Sequence, residues 1–170
     1  MSFSEINMAD ITLKPFHKLD KEWALLSAGR SDSFNTMTVS WGFLGTVWGR
    51  PSAIALVRPQ RYTREFIERE DFYTLSFFDG GHMKELGHLG AVSGRDGDKI
   101  AQTELSAVFD AATGAPYFAQ AGLVFICKKL YAQDIKPEQF IATELIPENY
   151  PKSDFHRFYI GQIVTALKGM

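Results

Sequence analysis

The spacing of its strand-like segments constrains the fold of this 170-residue chain. These segments follow one another too closely to leave room for long crossover helices. About six such segments are rich in β-branched and aromatic residues, a composition typical of strands. The helical patterns between them are short. A parallel sheet needs a crossover connection after each strand. A doubly wound sheet is therefore disfavoured, and we expect a mainly β, antiparallel barrel with peripheral helices.

Alternating or continuous apolar residues place individual strands. Met37, Val39 and Trp41 alternate with polar residues and predict one strand. The apolar run Ser52–Arg58 predicts another, buried on both faces. The predicted strands are Thr36–Trp41, Ser52–Arg58, Asp71–Phe78, Leu123–Tyr131 and Arg157–Leu167.

Short helices and turns are expected between these strands. Asp20 can cap a helix over Lys21–Ser27, which Ala28-Gly29 would end. Residues 1–10 are expected to fray, and the Gly-rich segment Gly42–Pro51 is expected to form turns. Further helices are predicted at Tyr62–Arg69, with Phe66 and Ile67 on its inner side, near His82–His88 and near Pro137–Phe140, with a polar loop at Val92–Lys99.

Charge and composition exclude several classes of protein. A net charge of −2 lacks the positive excess expected of a nucleic-acid-binding protein. No signal peptide is visible, and no apolar run reaches the roughly 18–20 residues that cross a membrane. These features predict a single cytoplasmic domain over residues 1–170.

Histidine and cysteine spacing gives little support for a metal site or a nucleophile. His82 and His88 are too far apart in register to share one helical face. Cys127 is the only cysteine and lies within a predicted strand, so we expect a buried, inert thiol. His156, just before the last strand, fits an exposed loop histidine, and it equally fits a proton donor or a binding residue for a second substrate.

Two segments could bind a flat, phosphate-bearing cofactor. On a strand, Thr36, Thr38 and Ser40 share one face, which fits a solvent-exposed edge and a polar trench equally well. In Arg58-Pro-Gln-Arg61-Tyr-Thr63, two arginines precede a predicted helix start, where anions are favoured. A solvated surface helix start has the same pattern, so these residues alone leave both interpretations open.

In order, the segments NTMTVSWG, SAIALVRPQRYTREFIE, FYTLSFF, SGRDGDK and FHRFYIGQI resemble the flavin reductase-like family of FMN-binding split β-barrel proteins. The resemblance extends over roughly residues 30–165. It implies a Greek-key split β-barrel that is usually a homodimer, with FMN in a groove near the subunit interface.

The same resemblance implies a set of site residues. His156 stands five residues before Gly161, a spacing found in many flavin reductases, where this histidine lies near flavin and nicotinamide. The residues implied to bind FMN are Asn35, Thr36, Met37 and Thr38 along the isoalloxazine ring, Ser40 and Trp41 toward the ribityl chain, Arg58, Arg61, Tyr62 and Thr63 at the phosphate, Ser76, Phe77 and Phe78 as another wall, and Lys99 as an added cation.

The function implied is that of an FMN-dependent oxidoreductase, a flavoprotein that accepts hydride from NADH or NADPH at flavin N5. Two alternatives stay open. One is a flavoredoxin-like electron carrier that exchanges electrons with a protein partner. The other is a flavin-binding module without turnover.

Overall fold

The computed structural model describes residues 2–170 and contains ten strands and four short α-helices within that range. The strands are β1 (Phe3–Glu5), β2 (Ala24–Arg30), β3 (Ser33–Val39), β4 (Gly42–Val47), β5 (Arg50–Val57), β6 (Phe72–Phe77), β7 (Ala107–Phe109), β8 (Pro116–Phe118), β9 (Leu123–Asp134) and β10 (Arg157–Gly169). The helices are α1 (Pro15–His17), which continues into a π-helical turn at Lys18–Glu22, α2 (Thr63–Arg69), α3 (Met83–Ala91) and α4 (Leu145–Asn149), with 3₁₀ turns at Met8–Asp10 and Pro137–Gln139.

Eight strands form one antiparallel sheet in the order β3-β2-β6-β9-β10-β5-β4, with β1 paired to β10. Within residues 2–170 the end strands β3 and β4 do not pair with each other, so the barrel is split rather than closed. Strands β7 and β8 form a separate hairpin. The expected antiparallel barrel with peripheral helices is confirmed.

The sheet packs on both faces, because successive side chains of a strand point in opposite directions. Leu26 of β2 and Phe125 of β9 enter the cluster inside the barrel. Their neighbours Leu25 and Val124 enter a second cluster, between the sheet and α3. Cys127 is fully buried inside the barrel, and burial raises the pKa of its thiol, so it is the inert cysteine that the sequence predicts.

The helix predicted over Lys21–Ser27 is wrong. Ala24–Arg30 forms strand β2, which pairs with both β3 and β6 and is buried along nearly its whole length. A strand buried on both faces has no alternation, so its continuous apolar run cannot be separated from a helix by periodicity. The preceding π-helical turn ends at Trp23, whose φ of 62° breaks the helix.

The turn predicted for Gly42–Pro51 is mostly a hairpin. Gly42–Val47 is strand β4, and only Trp48 and Gly49 make the turn into β5. Their φ values of 52° and 68° match the two-residue turn that the twist of a hairpin favours. Glycines had suggested a loop, but Gly42 is needed in the strand because a side chain there would strike the carbonyl of Ile54.

Two further expectations fail in part. The N-terminal segment is not frayed over residues 2–10, since β1 pairs with the end of β10 and Asn7 caps the turn at Met8–Asp10. The run Ser52–Arg58 is a strand, but Ile54 and Leu56 are only half-buried because they lie on the outer face of the barrel. The strands predicted at Thr36–Trp41, Asp71–Phe78, Leu123–Tyr131 and Arg157–Leu167, the helices near Tyr62–Arg69 and His82–His88, and the loop at Val92–Lys99 are confirmed within a few residues.

No helix within residues 2–170 has both the length and the apolar character that crossing a membrane requires.

Gly161 lies where the packing against β10 leaves no room for a side chain. A Cβ there would come within 2.5 Å of the hydroxyl of Tyr73, which is fully buried and donates to the carbonyl of Ala53. We expect Gly161→Ala to lower the free energy of unfolding by about 1–3 kcal/mol, measured by urea denaturation. Gly45→Ala, on the open surface of β4, is the matched control, and an equal effect in both variants would contradict this packing argument.

Candidate functional site

Two adjoining pockets open where β3, the β5–α2 connection and the end of α3 meet. The first, about 230 Å³, is lined by Thr38, Ser40, Trp41 and His156 among others, and is called here the histidine pocket. The second, about 460 Å³, is called the cation pocket and is lined by Asn35, Gln60, Tyr62, Thr63, Lys99 and the backbone of residues 90–94. Both pockets are also lined by Met37, Arg58 and Arg61, so together they form one groove.

One buried and two half-buried cations, Lys99, Arg61 and Arg58, line the cation pocket. The ammonium of Lys99 donates to the carbonyls of Leu89 and Val92 at 2.7 and 3.0 Å, where the last carbonyls of α3 lack helical partners. Arg61 donates to the carbonyl of Gly90. Within residues 2–170 neither Lys99 nor Arg61 forms an ion pair with a carboxylate.

The pKa values reflect this concentration of positive charge. Burial, with the nearby charge of Arg61, lowers the pKa of Lys99 to about 8. Burial, with the charge of Arg58, also lowers the pKa of Arg61. Desolvated like charges destabilise one another, so an anion placed between them would lower their energy.

One wall of the cation pocket is held by a buried side-chain pair. The amide of Asn35 donates to the hydroxyl of Thr63 at 2.9 Å, which joins β3 to the first turn of α2. Gly94 approaches this pair so closely that a side chain would strike Asn35 and the ring of Tyr62. Tyr62 is covered on its other side by Arg95, 4.7 Å from the ring centre. The loop at residues 92–99 therefore closes tightly over β3.

The predicted hydroxyl residues Thr36, Thr38 and Ser40 form neither a solvent-exposed face nor a continuous trench. Thr36 is fully buried, accepts a hydrogen bond from the hydroxyl of Ser27 at 2.9 Å and lines neither pocket. Thr38 lines the histidine pocket but donates its proton to the carbonyl of Leu86 in α3. Ser40, beyond the end of β3, also lines the pocket.

The proposed further wall at Ser76, Phe77 and Phe78 does not line either pocket of the groove. All three side chains are buried in or beside β6. Strand β2 lies between β6 and β3 in the sheet, so the side chains of β6 cannot reach across to the groove. Periodicity identified the strand but carried no information about its distance from β3.

His156 is buried at the histidine pocket and is not an exposed loop residue. Its Nδ1 lies 2.9 Å from the hydroxyl of Tyr150, and the ring of Trp41 lies 5.2 Å away. Burial lowers the pKa of His156 to about 4; Arg58 and Arg61 also lower it, while Asp154 opposes them. The imidazole is therefore neutral at neutral pH.

Arg58 lines the groove, but its guanidinium is engaged by the segment that precedes β10. It donates to the carboxylate of Asp154 at 2.7 Å and to the carbonyl of Asn149 at 2.9 Å. Hydrogen bonds from Gln60 and Arg58 hold the pKa of Asp154 below its usual range. Asn149 and Asp154 lie some ninety residues after Arg58 in the sequence, and no local sequence pattern connects them with it.

The comparisons with known families agree with this architecture. A model of the flavin reductase like domain matches residues 16–166, most of the chain. The chain belongs to the flavin reductase-like family. No match was found among curated proteins.

Solved structures similar to this flavin reductase-like chain share its fold at low sequence identity. A flavoredoxin from Methanosarcina acetivorans is 21% identical with a TM-score of 0.64, covering 85% of this chain and 67% of the flavoredoxin. An FMN-binding protein from Thermus thermophilus, solved with p-hydroxybenzaldehyde, is 19% identical with a TM-score of 0.67, covering 95% and 79%. An NADH:FAD oxidoreductase from Streptomyces globisporus C-1027, solved with NAD and FAD fragments, is 16% identical with a TM-score of 0.64, covering 87% and 80%. The likeness establishes the split β-barrel fold.

The groove of this flavin reductase-like chain brings together most of the residues that the sequence predicts: Asn35, Met37, Thr38, Ser40, Trp41, Arg58, Arg61, Tyr62, Thr63, Lys99 and His156. The sequence pattern predicts neither Tyr150 nor Asp154 at the site, nor the close approach of Gly94. Within residues 2–170, no three His, Cys, Asp or Glu side chains are arranged to hold a metal ion.

His156 should make the stability of the protein depend on pH. Its pKa is about 4 in the folded chain, against 6.5 for an ordinary histidine, so the unfolded chain takes up the proton first as the pH falls. We expect His156 to lower the free energy of unfolding progressively from about pH 6.5 to pH 4. His156→Gln should lose stability less steeply over that window, measured by urea denaturation at several pH values.

The control for this experiment is Ile141→Gln, which places the same side chain at a fully exposed loop position. Its pH dependence should follow that of the wild type. Parallel stability curves for the wild type and His156→Gln would show that His156 titrates normally, contrary to the expectation from its burial.

Proposed function

We propose that residues 1–170 act as one FMN-binding domain, with FMN held in the groove, and that the protein is an NAD(P)H-dependent flavin oxidoreductase. The observation that carries this proposal is the polarity of the groove. The buried Lys99 and the half-buried Arg61, which pair with no carboxylate of residues 2–170, lie at one end, and a neutral histidine, hydroxyls and an indole lie at the other. FMN has the matching polarity, with a phosphate at one end and a flat ring carrying carbonyls at the other.

At the phosphate end, the groove offers charge that is already desolvated. Arg61 and Lys99 are fixed by backbone carbonyls and have no competing carboxylate among residues 2–170. Charge-assisted hydrogen bonds from such groups are stronger than neutral ones. Arg58 faces both pockets, but it holds Asn149 and Asp154, so we assign it to shaping the groove and Arg61 with Lys99 to the phosphate.

At the ring end, β3 supplies backbone groups. It is an edge strand that pairs only with β2, so part of its backbone N–H and C=O groups have no strand partner. Such groups near Met37 can recognise the carbonyl and N–H groups of a flat ring without a dedicated side chain. This agrees with the mostly backbone recognition that the family resemblance implies for residues 35–38.

Bound FMN would supply the redox chemistry, accepting hydride at N5. The chain itself would bind and orient the ring. The indole of Trp41 and the ring of His156 enclose one side of the histidine pocket. Support for a nicotinamide donor comes from the similar NADH:FAD oxidoreductase, which was solved with an NAD fragment.

A second candidate function is that of a flavoredoxin-like electron carrier. A large apolar pocket of about 720 Å³ adjoins the histidine pocket through Ser40, Trp41 and Leu56. It is lined by Phe16, which is 91% exposed, and such an apolar surface suits a protein partner. Two similar structures are flavoredoxins, from Methanosarcina acetivorans and Desulfovibrio vulgaris (Miyazaki F).

We also propose that the protein is a homodimer. Strand register aligns an uncharged row on the outer face of the barrel: Phe43, Ile54, Leu56, Phe158, Ile160 and Tyr131. All six are exposed or only half-buried in the single chain. Contiguous apolar surface of this kind marks an interface. Because Leu56 also lines the histidine pocket, a second copy on this face would lie beside the groove.

Replacing the proposed phosphate cation should separate FMN from riboflavin. We expect Arg61→Ala to weaken FMN binding by about 1–3 kcal/mol, because a charge-assisted hydrogen bond to phosphate is lost. Riboflavin, which lacks the phosphate, should bind the wild type and the variant equally. Fluorescence titration of each flavin measures both affinities.

The matched control is Arg50→Ala, which removes an exposed arginine that contacts Gln162 at the end of the sheet. Its affinity for FMN should equal that of the wild type. Unchanged FMN affinity in Arg61→Ala would remove the phosphate assignment.

Stopped-flow reduction decides between the two candidate functions. For an oxidoreductase, the FMN-loaded protein should be reduced by NADH or NADPH at a rate on the order of 1–1,000 per second. An electron carrier should also bind FMN, but NADH and NADPH should reduce it at least about a thousandfold more slowly than they would reduce an oxidoreductase. Free FMN mixed with each nucleotide gives the uncatalysed baseline.

The dimer proposal predicts that a charge on the outer face dissociates the protein. We expect Phe43→Glu to raise the dissociation constant of the dimer by about tenfold or more, since burying an unpaired charge is costly. Light scattering after size-exclusion chromatography measures the mass. Met83→Glu, at an exposed position on α3, should leave the dimer intact, and a wild-type protein that runs as a monomer would refute the proposal.

A further inference from the structure

The hydroxyl of Tyr150 has one partner, the ring of His156. The Oη–Nδ1 distance is 2.9 Å, and the two residues are only 6% and 7% exposed. Within residues 2–170 the hydroxyl of Tyr150 makes no other hydrogen bond. If Nδ1 carried a proton and donated it, the proton of the buried phenol would have no acceptor, an arrangement that folded proteins avoid. The phenol therefore donates to Nδ1.

This direction of donation fixes the state of the imidazole. A neutral imidazole that accepts at Nδ1 carries its proton on Nε2. His156 is neutral near pH 7 because it is buried and faces Arg58 and Arg61, while the carboxylate of Asp154 is occupied by Arg58 and Gln60. Its Nε2 makes no hydrogen bond with residues 2–170, and His156 lines the histidine pocket. The Nε2–H is thus the group that remains for a ligand.

The phenol is held so that it cannot turn away from the histidine. The ring of Tyr150 stacks on the ring of Phe155, with 4.7 Å between the ring centres. The guanidinium carbon of Arg58 lies 5.1 Å from the centre of the Tyr150 ring. The same guanidinium binds the carbonyl of Asn149 and the carboxylate of Asp154, on either side of Tyr150 in the chain. Arg58 therefore fastens the short segment that carries the phenol.

We propose that Tyr150 is a positioning residue that fixes His156 as the Nε2–H tautomer, so that His156 donates a hydrogen bond to a carbonyl oxygen of the ring bound in the histidine pocket. In this role His156 is a donor and not a proton-accepting base. The identity of the ring rests on the proposed function, whereas the tautomer does not. A flavin carbonyl and a nicotinamide carboxamide offer the same acceptor chemistry, and the experiment below separates them.

The tautomer can be read directly from long-range ¹H–¹⁵N NMR spectra of the ligand-free ¹⁵N-labelled protein at pH 7. The signals of His156 are identified as those lost in His156→Gln. We expect a protonated Nε2 and an unprotonated, hydrogen-bonded Nδ1. A protonated Nδ1 would overturn the proposal.

Tyr150→Phe keeps the ring and removes only the hydroxyl. We expect the single tautomer of His156 to become a mixture, and flavin reduction by the nicotinamide to slow by roughly three- to tenfold, the effect of a lost hydrogen bond. Tyr159→Phe removes a different hydroxyl, which donates to Glu68. This control should change neither the tautomer of His156 nor the rate of flavin reduction. A His156 spectrum that is the same in Tyr150→Phe and in the wild type would refute the positioning role. If the variant does not fold, the tautomer of His156 in the wild type tests the proposal by itself.

Ligand titrations distinguish the two sources of the carbonyl. A shift of the Nε2–H signal on adding FMN alone assigns the contact to the flavin, and a shift only on adding NAD⁺ to the FMN-loaded protein assigns it to the carboxamide. Bound ligands that leave Nε2–H unchanged would overturn the donor role. Failure of FMN to bind at all would instead overturn the proposed function, while the wild-type tautomer would still test the action of Tyr150.

Discussion

The antiparallel pairing of β9 with β10 is the interaction on which the rest of the architecture depends. β10 also pairs with β5 and β1, and β9 also pairs with β6, so these two long strands join the halves of the split barrel. His156 directly precedes β10, so the pairing of Arg157 with Val57 brings it next to the end of β5 and thus to Arg58. The position of the groove is therefore fixed by the backbone hydrogen bonds of the sheet.

The groove is organised by buried and half-buried cations that the protein itself holds in place. Lys99 and Arg61 are held by carbonyls at the end of α3, and Arg58 is held by Asp154 and Asn149. Side chains fixed in this way lose little freedom when they bind a ligand. The histidine pocket follows the same rule, because the buried His156 is oriented by a single phenol.

The sequence predicted those helices and strands whose own residues follow a clear periodic or β-branched pattern. Helix α2 and strands β6, β9 and β10 have a clear period or a long β-branched run, and they form where the sequence places them. Strand β2 was missed because burial on both faces removes alternation, and β4 because glycines that allow close strand contact also resemble a loop.

Site residues that are neighbours in the sequence could be predicted, whereas contacts between distant segments could not. Arg61, Tyr62 and Thr63 follow a strand end and lie together as expected. The contact of Arg58 with Asp154 joins residues that only the barrel brings together, and the separation of Ser76 from the groove depends on strand order. Neither leaves a trace in spacing or composition, so the partners of Arg58, and with them Tyr150, become visible only in three dimensions.

The attachment of Lys99 to the end of α3 makes this lysine a link between a loop and a helix. Alongside burial, the positive charge of Arg61 contributes to lowering the pKa of Lys99, so the two cations repel one another in the ligand-free fold. An anion bound in the cation pocket would relieve that repulsion, and its binding energy would add to the stability of the folded state. Because Lys99 ends the loop at residues 92–99 and is bonded to the end of α3, such binding would strengthen the attachment of this loop to the helix.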